Sequence, residues 1–362
     1  MKIVYIANIR MPTEKAHGVQ IMKMCEAFTQ LGHEVELVVP NRKTPIAEEP
    51  FLYYGITARF AITTLPVWDT VGYGRLGFLL ESVLFARAVR RHLRGKAFDV
   101  LYGRDDLVLS GMSAPYVWES HTGAWNSMAQ KVARSAKRIV VISQGLKDFY
   151  TGKGVPAEKI IVAHDGIDLG QFAHPQSKEQ ARARLGLPFD KKIVMYIGRL
   201  DGWKGTDTLL DASKLLPGDF LVAIIGGEPQ QVTELSARYP NVRFLGFHPY
   251  KELADNQSAA DVLVLPNTGR DEISSRFTSP LKLFSYMASG IPMVVSDLPS
   301  IREVLDENGA VFVTPDDAPA LAQGIRSAFG RDDLARHAHA VVQRYSWNAR
   351  VGGILGGLEQ LV

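Results

Sequence analysis

Two stretches of this chain combine cations, glycines and helix-start residues in a way that suits a phosphate. One runs Arg276-Phe277-Thr278-Ser279-Pro280-Leu281-Lys282-Leu283-Phe284-Ser285-Tyr286-Met287-Ala288-Ser289-Gly290; the other is Gly198-Arg199-Leu200-Asp201-Gly202-Trp203-Lys204-Gly205. Each follows an apolar run of strand length and opens a helix, so orphan backbone N–H groups and fixed cations could converge on one anion. In the first stretch Ser279 is the expected N-cap, Pro280 the first helical residue and Gly290 the left-handed exit, which predicts a helix over 280–289. Leu281, Phe284 and Met287/Ala288 share a core face, leaving Lys282 and Ser285, three apart, on a face near the ligand. In the second stretch Arg199 and Lys204 suit a diphosphate, the arginine binding bidentately and the lysine acting as a point charge. A solvated surface pair is the alternative.

Three further positions lie where strands should end. His121, in Trp118-Glu119-Ser120-His121-Thr122-Gly123, could hydrogen-bond a sugar hydroxyl or a developing charge, or be only a polar loop residue. Arg104 and Asp105, with Glu119, are candidates for contact with a second substrate. Gly18, at the start of a helix predicted near Val19, lets backbone amides approach a ligand oxygen closely, unless it is simply a turn glycine of positive φ. Several chemistries lose their main support. No Gly-x-Gly-x-x-Gly follows either first strand, no Gly-x-x-x-x-Gly-Lys-Ser/Thr occurs, and there is no Gly-x-Ser-x-Gly elbow. Asp-x-Asp and His-Glu-x-x-His are also missing, so no metal site and no metal cofactor is expected.

The elements that must position these residues are strands and helices in alternation. A length of 362 residues suggests two domains, at ~100–200 residues each. Apolar runs without polar alternation predict strands near Lys2–Ala7, Glu34–Val39, Val100–Tyr102, Tyr116–Trp118 and Arg138–Ile142. A second series runs through Lys192–Ile197, Phe220–Ile225, Val242–Leu245, Val262–Leu265, Met293–Val295 and Val311–Val313. The fold class is α/β, with two tandem doubly wound, Rossmann-like domains over 1–168 and 190–344 facing a central cleft.

Composition bounds the rest. With 46% hydrophobic and 22% charged residues and a net charge of +3, the chain is an ordinary globular one, without the positive field of a nucleic-acid binder. The lone Cys25 lies at an apolar position of a predicted helix and fits a reducing compartment. No signal or membrane-spanning pattern is apparent, so a cytoplasmic protein, soluble or at most peripheral, is expected. The segment Arg75 to Lys96 mixes Leu79, Leu80, Val83, Leu84 and Phe85 with Arg87, Arg90, Arg91, Arg94 and Lys96. Such a helix can lie on an anionic membrane, or be a core helix whose arginines snorkel outward.

Taken together these motifs resemble the GT-B glycosyltransferases of the large retaining class called family 4. The resemblance rests on Glu14-Lys15-Ala16-His17-Gly18-Val19-Gln20, Trp118-Glu119-Ser120-His121, Ile142-Ser143-Gln144-Gly145-Leu146, Asp165-Gly166-Ile167-Asp168, the two stretches above and Asp297-Leu298-Pro299. It implies transfer of a sugar, with retention, from a nucleotide diphosphate sugar to a glycan or lipid-linked hydroxyl acceptor. Arg199 and Lys204 would hold the donor diphosphate, with Gly18, Ser279 and the amides near Leu281 and Lys282 completing the cradle. The base would lie near Gly226–Gly227 and Phe247–His248, and His121 against the transferred sugar. A closing helix over 345–362 would cross back to the first domain. One departure stands out: relatives carry two glutamates eight positions apart, and these align with Phe277 and Ser285. Replacing the ribose-binding carboxylate by a hydroxyl would weaken donor binding by on the order of 1–3 kcal/mol.

Overall fold

The computed structural model describes residues 1–200 and 202–359. Asp201, part of the loop motif above, and residues 360–362 of the expected closing helix lie outside the described residues. The chain forms two compact units. One comprises residues Met1–His164 with the closing helix Trp347–Glu359, the other Asp165–Ser346.

The first unit is built on a parallel sheet of β1 (Lys2–Ile6), β2 (Glu34–Pro40), β3 (Ala61–Leu65), β4 (Val100–Gly103), β5 (Tyr116–Ser120), β6 (Arg138–Val141) and β7 (Ile160–Val162), in the order β3-β2-β1-β4-β5-β6-β7. Strands β3 and β7 escaped the sequence reading because they are edge strands. Ala-Ile-Thr-Thr-Leu carries two threonines and is only partly buried, and β7 has only three residues. Chain order reverses between β1 and β4, and the carboxyl ends of open α/β sheets bind ligands at such a switch point.

The second unit repeats the plan with β8 (Lys192–Ile197), β9 (Phe220–Ile225), β10 (Val242–Gly246), β11 (Val262–Leu265), β12 (Met293–Ser296) and β13 (Val311–Val313), ordered β10-β9-β8-β11-β12-β13. Here the switch lies between β8 and β11. Successive residues of β8 enter opposite layers: Ile193 and Met195 pack in one apolar cluster, Val194 and Tyr196 in the other. That two-sided burial explains the unbroken apolar run in the sequence. Cys25 is fully buried in the first unit.

Candidate functional site

At the switch point of the second unit, three glycines let backbone approach backbone. A Cβ on Gly226, at φ +121°, would sit 2.1 Å from the Gly198 carbonyl, and the Gly226 N–H bonds the Gly246 carbonyl at 2.6 Å. Gly198 also leaves room for a cation. A Cβ there would lie 2.6 Å from Lys282 Nζ, which donates to the Tyr196 hydroxyl at 2.7 Å and rests 4.2 Å from its ring centroid. The same hydroxyl donates to the Arg199 carbonyl at 2.8 Å, so Tyr196 ties the loop after β8 to Lys282. The turn Gly202–Lys204 and the helix Thr206–Ser213 follow directly.

Lys282 stands in the first turn of the helix Leu281–Ser289, whose leading N–H groups have no partner within the helix. The exit at Gly290 is left-handed, with φ +69°, as expected. The entry differs. Pro280 is the N-cap, without a side-chain cap, and the Ser279 hydroxyl instead accepts the Asp165 N–H at 2.8 Å, which gives buried Ser279 a bracing role. Ser285 also departs from expectation. It does not face outward with Lys282: it is buried, donates back to the Lys282 carbonyl at 2.9 Å and accepts from Gln257 Nε2 at 3.0 Å. From Leu283 to Ala288 every residue of this helix is buried, so only its two ends meet solvent. Phe277 is buried as well. Beside β10, Phe247 is 59% exposed, and His248 pairs with Glu252 at 3.0 Å.

The first unit holds a different arrangement, centred on Glu119 at the end of β5. Its buried carboxylate accepts from Gln20 Nε2 at 2.7 Å, from His121 Nε2 at 2.6 Å, from Arg350 Nη2 at 3.0 Å and from the Tyr102 hydroxyl. Gln20 in turn accepts from Arg104 at 2.9 Å. Burial works against the charge of Glu119, yet Arg350 foremost and then His121 hold its carboxyl well below the usual range. His121 is pushed down to about 4, by burial first and by the Arg104 cation second. It is therefore neutral near pH 7. A carboxylate can only accept, so the ring must donate from Nε2 and keep its lone pair at Nδ1.

Asp105 does not stand free for a substrate. It caps the short helix Asp106–Leu109 through Val108 N–H and also accepts from Asn8, while burial raises its carboxyl. Gly18 belongs to the first helix, Ala16–Gln30, and lacks the positive φ of a turn glycine. Its N–H bonds the Lys15 carbonyl, and the space of its missing Cβ is taken by the Tyr54 hydroxyl, 2.3 Å away. Packing explains that glycine. Sequence reasoning missed Arg350, Gln20, Tyr102 and Tyr196. Arg350 meets Glu119 across 231 positions, a distance that no local spacing encodes.

The helix Gly74–Leu93 buries a stripe of Gly77, Glu81, Ser82, Phe85, Ala86 and Val89, with Glu81 paired to the Arg42 guanidinium. Leu76, Leu79 and Leu80 are exposed, together with nearby Trp68 and Tyr73, and Arg87, Arg90, Arg91 and Arg94 are exposed along the second half. The core-helix reading thus holds for one face only. Among the described residues no helix is long and apolar enough to cross a membrane.

Comparison with known proteins covers both units. Residues 191–330 match the family model of glycosyl transferases group 1, and residues 17–171 that of glycosyltransferase family 4. The chain is 29% identical over 245 residues to a D-inositol 3-phosphate glycosyltransferase of Xylanimonas cellulosilytica, covering 62% of this chain and 57% of that one. It is 27% identical over 366 residues to the phosphatidyl-myo-inositol mannosyltransferase of Mycobacterium leprae, covering 93% and 91%. In fold it is similar to Anabaena Alr3699/HepE in complex with UDP and glucose, with a TM-score of 0.78 at 19% identity over the full length of both chains.

Proposed function

The chain belongs to the group 1 glycosyltransferases of the GT-B fold, and on that footing we propose that it transfers a sugar, with retention, from a nucleotide diphosphate sugar to a hydroxyl acceptor. The observation that carries this reading is the cation set at the β8 switch point, where Lys282 lies on Tyr196 against Gly198 and Arg199 follows directly. Charge building on the leaving diphosphate is stabilised there by Arg199, Lys204, Lys282 and the helix N-terminus. In the first unit His121 presents a neutral acceptor to a hydroxyl of the transferred sugar. No side chain is assigned as general base; the leaving phosphate itself takes the acceptor proton. Arg199→Ala and Lys204→Ala should each lower turnover by ~10²–10³-fold, the usual cost of one transition-state donor. Unchanged turnover in both variants would sink the assignment.

The acceptor is a glycan or lipid-linked hydroxyl in cell-surface polysaccharide or glycoconjugate synthesis, reached at an anionic membrane surface. Support comes from the Gly74–Leu93 helix, whose exposed Leu76, Leu79 and Leu80 stand ahead of exposed arginines on one element. Sedimentation with anionic vesicles at low salt, lost when Arg90, Arg91 and Arg94 become Ala, is the expected result. Vesicle binding that is indifferent to those arginines contradicts it.

A second reading is binding of a nucleotide without transfer. It is favoured by buried Phe277 and Ser285 at the positions of the two family glutamates. Release of nucleoside diphosphate that is sustained and dependent on acceptor, measured across several donors, decides for transfer.

A further inference from the structure

The group behind His121 is not local to its loop. The closing helix Trp347–Glu359 carries Arg350 into the first unit, where its side chain is buried. Nε donates to the His164 carbonyl at 2.9 Å, Nη1 to Met24 Sδ at 2.8 Å, and Nη2 to Glu119 Oε1 at 3.0 Å. That last oxygen is also the one that His121 Nε2 meets at 2.6 Å. We propose that Arg350 is a positioning residue for His121: by holding Glu119 as a carboxylate it commits the imidazole to its Nε2–H tautomer and leaves Nδ1 as the ring's acceptor. The inference rests on the reading of His121 as the residue that meets the transferred sugar.

The geometry favours this over a merely structural clasp for two reasons. A buried ion pair is an expensive way to dock a helix, since apolar residues of like volume usually serve stability as well or better. This helix already docks by apolar contact, with Trp347, Val351, Ile354 and Leu355 all buried. Second, each side chain seen hydrogen-bonded to the carboxylate donates to it. Gln20 comes from the first helix, Tyr102 from β4, His121 from the loop after β5 and Arg350 from the closing helix, with Arg104 behind Gln20. Tyr5 and Cys25 also face Glu119, and burial and its negative charge push both upward, so neither supplies a competing anion near pH 7. In that ring of donors His121 has one way to bond Glu119, and the Nδ1–H tautomer would set a lone pair against an anion.

Removing the cation changes the balance between the pair. With Arg350 gone, buried Glu119 keeps its charge only by drawing a proton onto His121, or takes the proton itself and turns donor. Either change costs His121 its fixed role.

Imidazole nitrogen NMR of the wild-type protein without substrate should show His121 neutral and protonated at Nε2 from pH 8 to near pH 5. In Arg350→Met the acid limb of kcat/KM should move up by one unit or more, which near the limb is roughly tenfold in rate per unit. The loss should fall on kcat rather than on donor KM, and Arg350→Lys should restore most of it. A wild-type Nδ1–H tautomer, or an Arg350→Met protein of unchanged circular dichroism with unchanged pH profile and tautomer, overturns the proposal. If Arg350→Met does not fold, the wild-type tautomer and the Arg350→Lys profile decide. The nitrogen spectrum needs no sugar donor, so a protein that transfers nothing would refute the functional reading and still leave this one testable.

Discussion

The two units carry the same sheet plan, yet their switch-point ends are finished in opposite ways. The first unit closes its charges on themselves: one carboxylate, Glu119, gathers four donors from four parts of the unit in a nearly dry setting. The second leaves its cations at the boundary, where Lys282 rests on a phenol and an arginine-bearing loop passes over close-packed glycines. A closed network fixes the geometry of one side chain; a cation resting on a phenol in the first turn of a helix is placed to meet an anion. The first end should therefore answer to mutation in stability as well as in turnover, the second in turnover alone.

The largest break in that comparison should come from Glu119→Leu. It strands Arg350, a cation with 1% of its side chain exposed, and loss of one partner from a buried pair typically costs about 3–5 kcal/mol. Chemical denaturation should show the first unit destabilised by that order. A loss below 1 kcal/mol would mean that the network is not closed. Lys282→Met should do the reverse, lowering turnover of the donor by ~10²–10³-fold while the melting point stays within a degree or two of wild type. A fall in melting point with turnover intact would make Lys282 a structural cation and remove the contrast.

This contrast also divides what could be read in the sequence. The second unit was legible because its chemistry is local: Gly198, Arg199, Lys282 and Gly290 act within a few residues of the strand or helix end that the apolar pattern predicts. Ser285 was misplaced because a three-residue spacing gives the face of a helix, whereas Gln257, from another segment, decides which faces are covered. In the first unit His121 and Glu119 stood out only by their position after a strand. Arg350 had no signal, since a guanidinium two hundred residues away becomes a partner through the fold alone. The edge strand β3 was missed for the related reason that a half-exposed strand has no need of an apolar run, and β7 because three residues are too short a run to stand out.

Acid should act on the first unit before the second. His121 and His17 are both held down to about 4, each by burial first and the Arg104 cation second, against an ordinary value near 6.5. Above pH 6.5 both are neutral in folded and unfolded chains alike. As pH falls from 6.5 to 4 the unfolded chain takes up protons that the folded one refuses, so stability declines across that window, by on the order of 2 kcal/mol per histidine at pH 5. Glu119 acts lower and in the same direction: its contribution is full above the ordinary carboxylate range and is lost as pH falls from there through its own depressed value. Urea unfolding at pH 7, 6 and 5 should trace the first decline, and His121→Asn should flatten it in part. A flat profile in the wild type would show that the two imidazoles take up protons in the folded protein as readily as in the unfolded one.

The smallest effect tests the part of the second unit that the sequence misjudged. Ser285→Ala removes the hydroxyl that accepts from Gln257 and returns a bond to the Lys282 carbonyl, leaving the buried Gln257 amide, whose Oε1 already lacks a partner, without its remaining one. The cost should be about 1 kcal/mol, felt as a lower melting point of the second unit, with donor KM changed by less than about twofold. If Ser285 bound the ribose directly, the same change would raise donor KM severalfold and leave the melting point alone. Ser285→Glu sharpens the distinction, because a carboxylate placed where Ser285 is buried must either displace Gln257 or stay uncompensated. Burial predicts a melting point lower than that of Ser285→Ala and no gain in donor affinity. A gain in affinity at unchanged stability would show that this position can still open to a ligand, and would bring the second unit closer to the family pattern than its buried serine suggests.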